Sequence, residues 1–382
     1  MDLKSMRLIY VCRNCTLLGG QSRIAWELGQ RALAEGHDVH LVARRFPAGM
    51  ENSGIQKQRV FQLPPFVGEW TRFRFFADLA SRRAEKLARG GGVIHGFGDS
   101  YRQHIFTLGN VDWNYSKHLP GRQPDGTAVY VKKRAFLDPG LRMLVLVSKQ
   151  MRQDILDLLP NFDSSKFRII YPGVDPQRFR KHSREEIRSR LNRQLGIPTG
   201  ARWLVFAAGG DFEKRNMKTM GQALLKLQHR DDWRMLFVGA RKDQFPWPRE
   251  LEDRSYFLGR LDDIGTVLPG CDLMVYPAWY DESPLACLEA MASGLPLVVS
   301  RTVGTSEIIS VDNKATGVLN DPGNADQLAQ LIDIMLSNES LRRRMGEENR
   351  KAAEGFSWEA IYRQYRDLYE EVGSLQGESP KK

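Results

Sequence analysis

Residues 280–300 read YDESPLACLEAMASGLPLVVS, and this stretch decides how the second half of the chain folds. Pro284 suits the first position of a helix and Ser283 suits its N-cap, so we expect a helix to begin there. Gly294 is typical of a helix end, and the apolar run 297–299 predicts a buried strand. The stretch therefore predicts a turn, a helix and a strand in that order.

The first turn of the predicted helix leaves its backbone amides without partners inside the helix. The amides from Ser283 to Ala286, including that of Leu285, are therefore expected to face an anion. Asp281 stands just before the helix, and Glu289 lies two turns into it. Amides that hold phosphate, beside carboxylates that accept hydrogen bonds from sugar hydroxyls, suit a nucleotide diphosphate-sugar.

The same stretch resembles the donor-site signature of the retaining glycosyltransferases of family 4, which have the GT-B fold. The family pattern is a carboxylate, seven residues, a glutamate and then Ala-Met-Ala-x-Gly-x-Pro-Val-Val. Asp281 takes the first position, where the family usually has glutamate, and the adjacent Glu282 leaves open which carboxylate fills the role. The resemblance implies that Asp281 holds hydroxyls of the donor sugar and Glu289 those of the ribose.

A second motif, AGGDFEKRN, ends at Asn216 and follows a predicted strand. It resembles the family segment in which Gly-Arg is followed by Glu-Lys-Gly. Arg215 occupies the lysine position, Asn216 the glycine position, and Gly210 replaces the first basic residue. The resemblance implies that Lys214 and Arg215 support the leaving diphosphate, with Lys218 as a possible substitute.

Three further segments extend the resemblance over most of the chain. The stretch IIYPGVDPQRF at 169–179 is similar to the family segment that ends the first domain. Glu307 matches an acidic position on the loop after the strand, and Phe-Ser-Trp at 356–358 matches the entry to the last helix. The likeness is strongest from Arg202 to Trp358.

The loop after the first predicted strand carries Gly19 and Gly20. These glycines lack the spacing of a dinucleotide fingerprint, so nicotinamide binding is not supported. They let the backbone approach a ligand at the mouth of the sheet. In family 4 this loop approaches the donor phosphate and sugar, and Arg23 follows it on the helix. A plain tight turn is the alternative.

Within family 4 the chain is most similar to the lipopolysaccharide core glucosyltransferases, which add the first glucose to inner-core heptose; the segment Tyr276–Tyr280 is one local sign. Those enzymes carry an acid where this chain has Ile24. They also have an aspartate after the strand predicted at 104–108. Asn110 stands nearest that position and Asp112 lies two residues further on, so both are candidate catalytic residues.

Alternating strand and helix patterns predict an α/β protein with parallel sheets covered on both faces. The resemblance to family 4 implies a GT-B fold, with two doubly wound Rossmann-like domains facing a cleft. We expect an acceptor-binding domain at 1–178, a nucleotide-sugar-binding domain at 179–355 and a helix at 356–372 that crosses back to the first domain. The polar stretch around 181–201 is interpreted as the linker. The predicted strands are 7–12, 39–43, 93–97, 104–108, 143–147, 167–171, 203–208, 235–238, 272–276 and 297–300.

Composition agrees with a large α/β protein. The chain has 382 residues, of which 42% are hydrophobic, and no apolar run approaches a membrane span. Four cysteines indicate a reducing compartment and buried thiols; a zinc or redox site at the pair Cys12 and Cys15 is the alternative. The start of the sequence lacks a signal-peptide pattern, so we expect a cytoplasmic protein.

The expected reaction is transfer of a hexose, with glucose favoured, from a nucleotide diphosphate-sugar such as UDP-glucose. The resemblance implies retention at the anomeric carbon, no metal and no cofactor beyond the donor. Two alternatives stay open. One is a nucleotide-sugar epimerase of GT-B fold, and the other is a catalytically weak homologue that binds sugar or lipid.

Charge is uneven, with a net of +12 in residues 1–180 and −2 in the remainder. A basic half indicates an anionic partner, and basic residues beside aromatics suit an anionic lipid surface or a phosphorylated glycolipid acceptor. No nucleic-acid motif accompanies the charge. We therefore expect peripheral association with the inner membrane. The basic residues concerned are Arg72, Arg74, Arg82, Arg83, Lys86, Arg89, Lys117, Arg122, Lys132, Lys133 and Arg134.

Overall fold

The computed structural model of the protein describes residues 5–16, 19–47, 50–111, 113, 115–119, 122–123 and 126–377. These residues divide into two compact units. The first unit holds the described residues up to Pro172 together with those from Trp358 onward. The second unit spans Gly173–Ser357. Each unit is built around its own parallel sheet.

The described part of the first unit forms a seven-stranded sheet in the order β3-β2-β1-β4-β5-β6-β7. Neighbouring strands all pair in parallel. The strands are β1 (Arg7–Val11), β2 (Asp38–Ala43), β3 (Gln56–Arg59), β4 (Val93–Gly96), β5 (Ile105–Leu108), β6 (Met143–Leu146) and β7 (Phe167–Ile169). The helices that accompany them are α1 (Gly20–Ala34), α2 (Glu69–Ala88), α3 (Tyr115–His118), α4 (Gly126–Phe136) and α5 (Gln150–Leu158).

The second unit forms a six-stranded parallel sheet in the order β10-β9-β8-β11-β12-β13. Its strands are β8 (Arg202–Ala207), β9 (Trp233–Val238), β10 (Ser255–Gly259), β11 (Leu273–Tyr276), β12 (Leu297–Ser300) and β13 (Val318–Leu319). Its helices are α6 (Arg184–Leu195), α7 (Met217–Lys226), α8 (Leu285–Ala292), α9 (Val311–Gly317), α10 (Ala325–Ser337) and α11 (Glu339–Glu354). The last helix, α12 (Trp358–Gly377), belongs to the first unit.

Both sheets are buried on both faces, and this explains their sequences. The central strand β8 reads RWLVFA, and its last five residues are buried. Strand β1 reads RLIYV, with four buried residues. Because helices cover both faces of a parallel sheet, its strands are near-continuous apolar runs. The predicted α/β class with two doubly wound sheets is confirmed.

Strand order reverses once in each sheet. In the first unit the chain builds outward from β1 to β3 and then starts again on the other side of β1 with β4. In the second unit the reversal falls between β8 and β11. Doubly wound folds bind ligands at such switch points, outside the carboxyl ends of the strands. The loops after β1, β4, β8 and β11 are therefore the places to look for a site.

Three strands lacked a sequence signal strong enough to be predicted. Strand β3 reads QKQR and lies at a sheet edge with little burial, so it has no apolar pattern. Strand β10 is an edge strand whose residues are all partly exposed. Strand β13 has two residues, Val318 and Leu319. Edge position and short length remove the periodicity on which a strand prediction depends.

The expected linker around 181–201 is wrong, because this stretch contains α6 and packs into the second unit. Ser183 accepts from the amide of Glu186, and the Glu186 side chain accepts from the amide of Ser183, which forms a capping box. Ile187 and Leu191 are buried in the second core. The helix has a polar surface and a narrow apolar face, so composition alone made it resemble a linker.

Helix α12 packs in the first unit through a buried polar contact. His95 on β4 lies 2.9 Å from the hydroxyl of Tyr369 and 2.7 Å from that of Thr107. Burial lowers the pKa of His95 to about 3, so the ring is neutral. Tyr365 also contacts the Thr107 hydroxyl, at 3.0 Å. His95 is therefore a structural residue that fixes α12 against β4 and β5.

None of the helices in the described ranges is both long enough and apolar enough to cross a membrane. The four cysteines are buried free thiols. Burial raises the pKa of Cys15 and Cys271 to about 12, so both stay protonated at neutral pH.

Candidate functional site

The second unit brings two of the predicted motifs together at its switch point. Strands β8 and β11 are neighbours, so the loops that follow them emerge side by side. The amide of Trp279 in the second loop donates to the carbonyl of Lys214 in the first at 2.9 Å. The sequence motifs at 208–216 and 280–289 therefore form one surface.

The loop after β8 needs unusual backbone conformations, and its residues suit them. Gly210 has φ of 141°, and Asn216 has φ of 60°, in the left-handed region. Asparagine tolerates this region better than other non-glycine residues, which explains how it stands where the family pattern has glycine. The Asn216 side chain caps α7 at Thr219 and donates to the carbonyls of Pro277 and Pro322 at 3.1 and 2.6 Å. The loop is thus locked to its neighbours.

Arg215 is held by a hydroxyl and a carboxylate from the adjacent strand and loop. Its Nε donates to the Tyr276 hydroxyl at 3.0 Å, and its Nη2 lies 3.5 Å from Oδ2 of Asp281. The Tyr276 hydroxyl donates to the same Oδ2 at 2.8 Å. A further bond runs from Arg215 Nη1 to the Gly210 carbonyl at 2.6 Å. These contacts fix the guanidinium, whose side chain stays 20% exposed.

Neighbouring groups keep Arg215 charged and Tyr276 protonated. Burial alone disfavours the charged form of Arg215, but the neighbouring Tyr276 and Asp281 outweigh it and raise the pKa of the guanidinium. Burial, together with Asp281, raises the pKa of Tyr276 well above its usual value. The phenol is therefore neutral and acts as the donor to Asp281.

Lys214 and Glu282 form a separate, buried ion pair. Lys214 Nζ lies 3.0 Å from Glu282 Oε2, and the two side chains are 6% and 3% exposed. Asp281 and Glu282 thus point to different cations, although they are adjacent in the chain. Lys218, the possible substitute, lies exposed on α7.

The predicted cap of α8 is wrong. Pro284 has φ of −67° and ψ of 124°, which is an extended conformation, so α8 begins at Leu285 and has no side-chain cap. Ser283 Oγ is buried and has no hydrogen-bond partner among the described residues. The backbones of Asp281 and Val303 pair as an isolated parallel bridge, five residues after the end of β11. Leu285 and Ala286 occupy the first turn of α8, partly exposed.

Glu289 contacts an arginine that the sequence reading passed over. Its Oε1 lies 3.8 Å from Nη1 of Arg178, and the two side chains are 12% and 15% exposed. Arg178 also donates from Nε to Asp263 at 2.8 Å. Arg178 stands in the motif at 169–179, but nothing in that motif linked it to Glu289. Glu307 ends a short turn at Gly304–Glu307 and is partly buried.

The remaining predicted site residues belong to the first unit. Gly19 is the N-cap of α1 with an extended backbone, and Gly20 is the first residue of that helix. Arg23 pairs with Glu27 one turn later, at 3.7 Å. Asn110 accepts through Oδ1 from the buried Lys132 at 2.8 Å. Asp112 lies outside the described residues.

Within the described ranges, no group of three or more His, Cys, Asp or Glu side chains is arranged to hold a metal ion. The second switch point instead holds two ion pairs, Arg215 with Asp281 and Lys214 with Glu282. Such an arrangement can bind an anion through Arg215 and can accept hydrogen bonds through Asp281.

The sequence matches two family models, one in each half of the chain. The model described as "Glycosyltransferase Family 4" matches residues 18–178. The model described as "Glycosyl transferases group 1" matches residues 188–352. The two matches together include most of the chain, and the second match includes the switch point between β8 and β11.

Characterised relatives are similar at low identity. N-acetyl-alpha-D-glucosaminyl L-malate synthase of Bacillus anthracis is 24% identical over 383 residues, which cover 93% of this chain and 94% of the relative. The lipopolysaccharide glucosyltransferase WaaG of Escherichia coli is 26% identical over 239 residues, which cover 58% of this chain and 60% of the relative. The second match thus spans less than two thirds of the relative's length.

Solved structures share the fold. A crystal structure of WaaG superposes with a TM-score of 0.76 at 16% identity, covering 95% of this chain and 99% of that chain. Anabaena HepE in complex with UDP and glucose superposes with a TM-score of 0.73 at 16% identity, with the same coverage.

The protein has the GT-B fold, since it contains two doubly wound parallel sheets and superposes on a solved GT-B structure. Both matching models describe glycosyltransferases. The chain belongs to glycosyltransferase family 4, as its donor-site motifs predicted.

Proposed function

We propose that the protein transfers a hexose from a UDP-sugar to an anionic glycolipid, with retention at the anomeric carbon. Glucose is the favoured hexose and a phosphorylated lipopolysaccharide-type core the favoured acceptor. No metal and no further cofactor takes part in the proposal. Groups of the protein itself are proposed to stabilise the negative charge that develops on the leaving diphosphate.

One observation carries the proposal: a fixed and partly exposed arginine at the switch point of the second sheet. Arg215 is oriented by Tyr276 and Asp281, so it needs no rearrangement when charge develops on a phosphate oxygen. The backbone amides of Leu285 and Ala286 in the first turn of α8 add dipoles that favour an anion.

The two carboxylates of the motif take different parts. Both contacts of Asp281 use Oδ2, and we assign its Oδ1 to a hydroxyl of the donor sugar. Glu289, which contacts Arg178, is assigned to the ribose hydroxyls. Lys214 is buried against Glu282, so we assign this pair to holding the two loops together.

The choice of donor is supported by the relatives. WaaG is named as a lipopolysaccharide glucosyltransferase, and HepE was crystallised with UDP and glucose. The other relative named above, N-acetyl-alpha-D-glucosaminyl L-malate synthase, carries a different sugar and acceptor in its name. The hexose and the acceptor are therefore the parts of the proposal to test first.

Membrane association is proposed through the first unit, with exposed aromatic residues added to the expected basic ones. Phe73 and Phe76 on α2 are buried, and so is Lys132, so these side chains do not meet a lipid surface. Phe66, just before α2, is 88% exposed, and Trp70, the second residue of α2, is 49% exposed. Exposed aromatics beside cations suit the interface of an anionic membrane.

The test is incubation of the full chain with nucleotide sugars, read by free nucleotide and by transferred sugar, with and without a phosphorylated glycolipid. Acceptor-dependent nucleotide release together with a lengthened glycan supports the proposal. An epimerase would convert the sugar without needing an acceptor. Binding of nucleotide without turnover would identify a catalytically weak homologue. Either result would overturn the proposed transfer.

A further inference from the structure

The loops that follow β1 and β2 run side by side beyond the carboxyl edge of the first sheet. The backbones of Asn14 and Arg45 pair as an isolated parallel bridge. The amide of Cys15 donates to the carbonyl of Arg45 at 3.0 Å, and the amide of Arg44 to that of Arg13 at 3.0 Å. These bonds place Arg13, Arg44 and Arg45 on one short stretch of the edge, beside the switch point.

Helix α2 brings a fourth arginine to the same place. Glu69, the first residue of α2, accepts through Oε1 from Arg13 Nη2 at 2.6 Å and through Oε2 from Arg72. The Arg13 guanidinium also lies over the ring of Phe73, at 4.9 Å from its centroid. The Arg13 and Arg72 side chains are 14% and 20% exposed, so the protein surface holds them in position.

The cations in this arginine cluster, Arg13, Arg44, Arg45 and Arg72, repel one another. Arg44 donates from Nε and Nη2 to Oδ1 of Asn14 at 3.1 and 2.8 Å, and this acceptor is neutral. Burial lowers the pKa of Arg44, and the charges of Arg45, Arg13 and Arg72 lower it further, while Glu69 opposes them. The structure thus gathers like charges at a cost in free energy.

The acids beside the cluster do not balance it. Among the described residues, Glu69 contacts two of the arginines, and Asp99 accepts through Oδ2 from the Arg13 amide at 2.8 Å. Four cations therefore face two carboxylates. A bound anion offsets such a surplus, and the planar fork of arginine matches the oxygens of a phosphate. The carboxyl edge near a switch point is also where doubly wound sheets bind ligands.

We propose that the arginine cluster is a phosphate-binding site, and that the phosphate it takes is that of the lipid-linked acceptor. The identification of the anion as the acceptor rests on the proposed function, whereas the site rests on the four arginines. Exposed Trp70 lies in the first turn of α2, and exposed Phe66 precedes it. Apolar chains attached to a phosphate in the cluster would meet these two side chains.

Calorimetric binding of glycerol phosphate to the full chain tests the site directly. The double variant Arg44→Gln with Arg45→Gln should bind the ester about tenfold more weakly or worse, since charge-assisted bonds to phosphate are lost. The single variant Arg45→Gln keeps the contacts between Arg44 and Asn14, so it reports on the site without altering the fold. It should weaken binding roughly threefold.

A vesicle assay identifies the source of the phosphate. Phosphatidylcholine vesicles with phosphatidic acid should bind the wild-type chain more tightly than vesicles without it. Loss of that difference in the double variant shows that the cluster takes a lipid phosphate. A difference that the double variant keeps, beside lost ester binding, shows that the cluster takes a soluble phosphate ester instead.

Two matched controls separate a built site from plain charge. Arg82→Gln with Arg83→Gln removes two exposed arginines from the far part of α2, and ester binding should persist. Arg215→Ala removes the cation assigned to the donor diphosphate, so it deletes any ester binding at the second unit, and binding at the arginine cluster should persist. The proposal is overturned if the wild-type chain does not bind the ester, or if either control loses binding as the Arg44 and Arg45 double variant does. These readouts do not involve sugar transfer, so they stand apart from the test of the proposed function.

Discussion

The two switch points of the molecule differ in how far carboxylates neutralise their arginine and lysine side chains. At the second switch point Arg215 pairs with Asp281, and Lys214 pairs with Glu282. In the first unit Arg13 and Arg72 share Glu69. The same fold therefore presents a neutralised site and an electropositive one.

This difference has a physical consequence. Cations that already have carboxylate partners are oriented before a ligand arrives, so they can stabilise developing charge without reorganising. Cations in surplus gain most from the binding of an anion itself. The second unit is therefore suited to chemistry on a bound phosphate, and the arginine cluster to recognition of a phosphate.

We expect the largest effect on stability from a change in the buried ion pair between Lys214 and Glu282. Lys214→Met leaves Glu282 buried without its cation, and we expect the free energy of unfolding to fall by about 3–5 kcal/mol. The double variant with Glu282→Leu should recover most of the loss, because both charges are then gone. Urea denaturation measures both values.

Lys218→Met is the matched control, since Lys218 is exposed one turn further along the chain. It should change stability by less than about 0.5 kcal/mol. A Lys214→Met variant with wild-type stability and lost turnover would contradict the structural role, and would return Lys214 to the diphosphate as the sequence motif implies.

Replacing Arg215 should affect the rate of turnover more than the stability. Arg215→Ala removes the oriented cation, so turnover should fall by about 100-fold or more while nucleoside binding stays near normal. Arg215→Lys should recover part of the rate, because it restores the charge without the bond from Nε to Tyr276. Steady-state kinetics of nucleotide release test both. Turnover at the wild-type rate in Arg215→Ala would mean that the charge on the diphosphate is met elsewhere.

Glu289 tests the nucleotide side of the same site. Glu289→Ala should weaken nucleotide binding and nearly abolish transfer, because each hydrogen bond from a ribose hydroxyl to a charged acceptor contributes about 1.5–3 kcal/mol. Asp263→Asn is the control, since Asp263 is the other acidic partner of Arg178. Calorimetry should find near-normal affinity in the control. Equal losses in the two variants would mean that Glu289 acts only by holding Arg178.

The fold was predictable because buried parallel strands have continuous apolar sequences, which can be recognised without a structure. Strands β1 and β8 are such runs, and the loops after them carry the glycine-rich motifs. The stretch at 181–201 misled the reading, since α6 buries only a narrow face. Edge strand β3 left no apolar pattern at all.

The candidate site was predictable in its motifs but not in its pairings. The sequence pattern placed Arg215 and Asp281 after two predicted strands. The structure makes these strands neighbours and brings the two side chains to 3.5 Å. Spacing could not show that Glu282 turns to Lys214, or that Arg178 reaches Glu289. Such pairings depend on the direction in which each side chain leaves its loop, and that direction is set by tertiary packing.

Tyr276 gives the smallest expected effect and the sharpest test of orientation within the neutralised site. Tyr276→Phe keeps the ring, which stacks on Phe206 with centroids 5.4 Å apart, and removes only the hydroxyl between Arg215 and Asp281. Stability should fall by about 1 kcal/mol, and turnover by about tenfold at most. Because the hydroxyl acts by positioning Arg215, the change should have no further effect on turnover once Arg215 is alanine. A double-mutant cycle on turnover measures this coupling. Independent, multiplying losses in the double variant would show that the hydroxyl acts apart from Arg215, through its bond to Asp281.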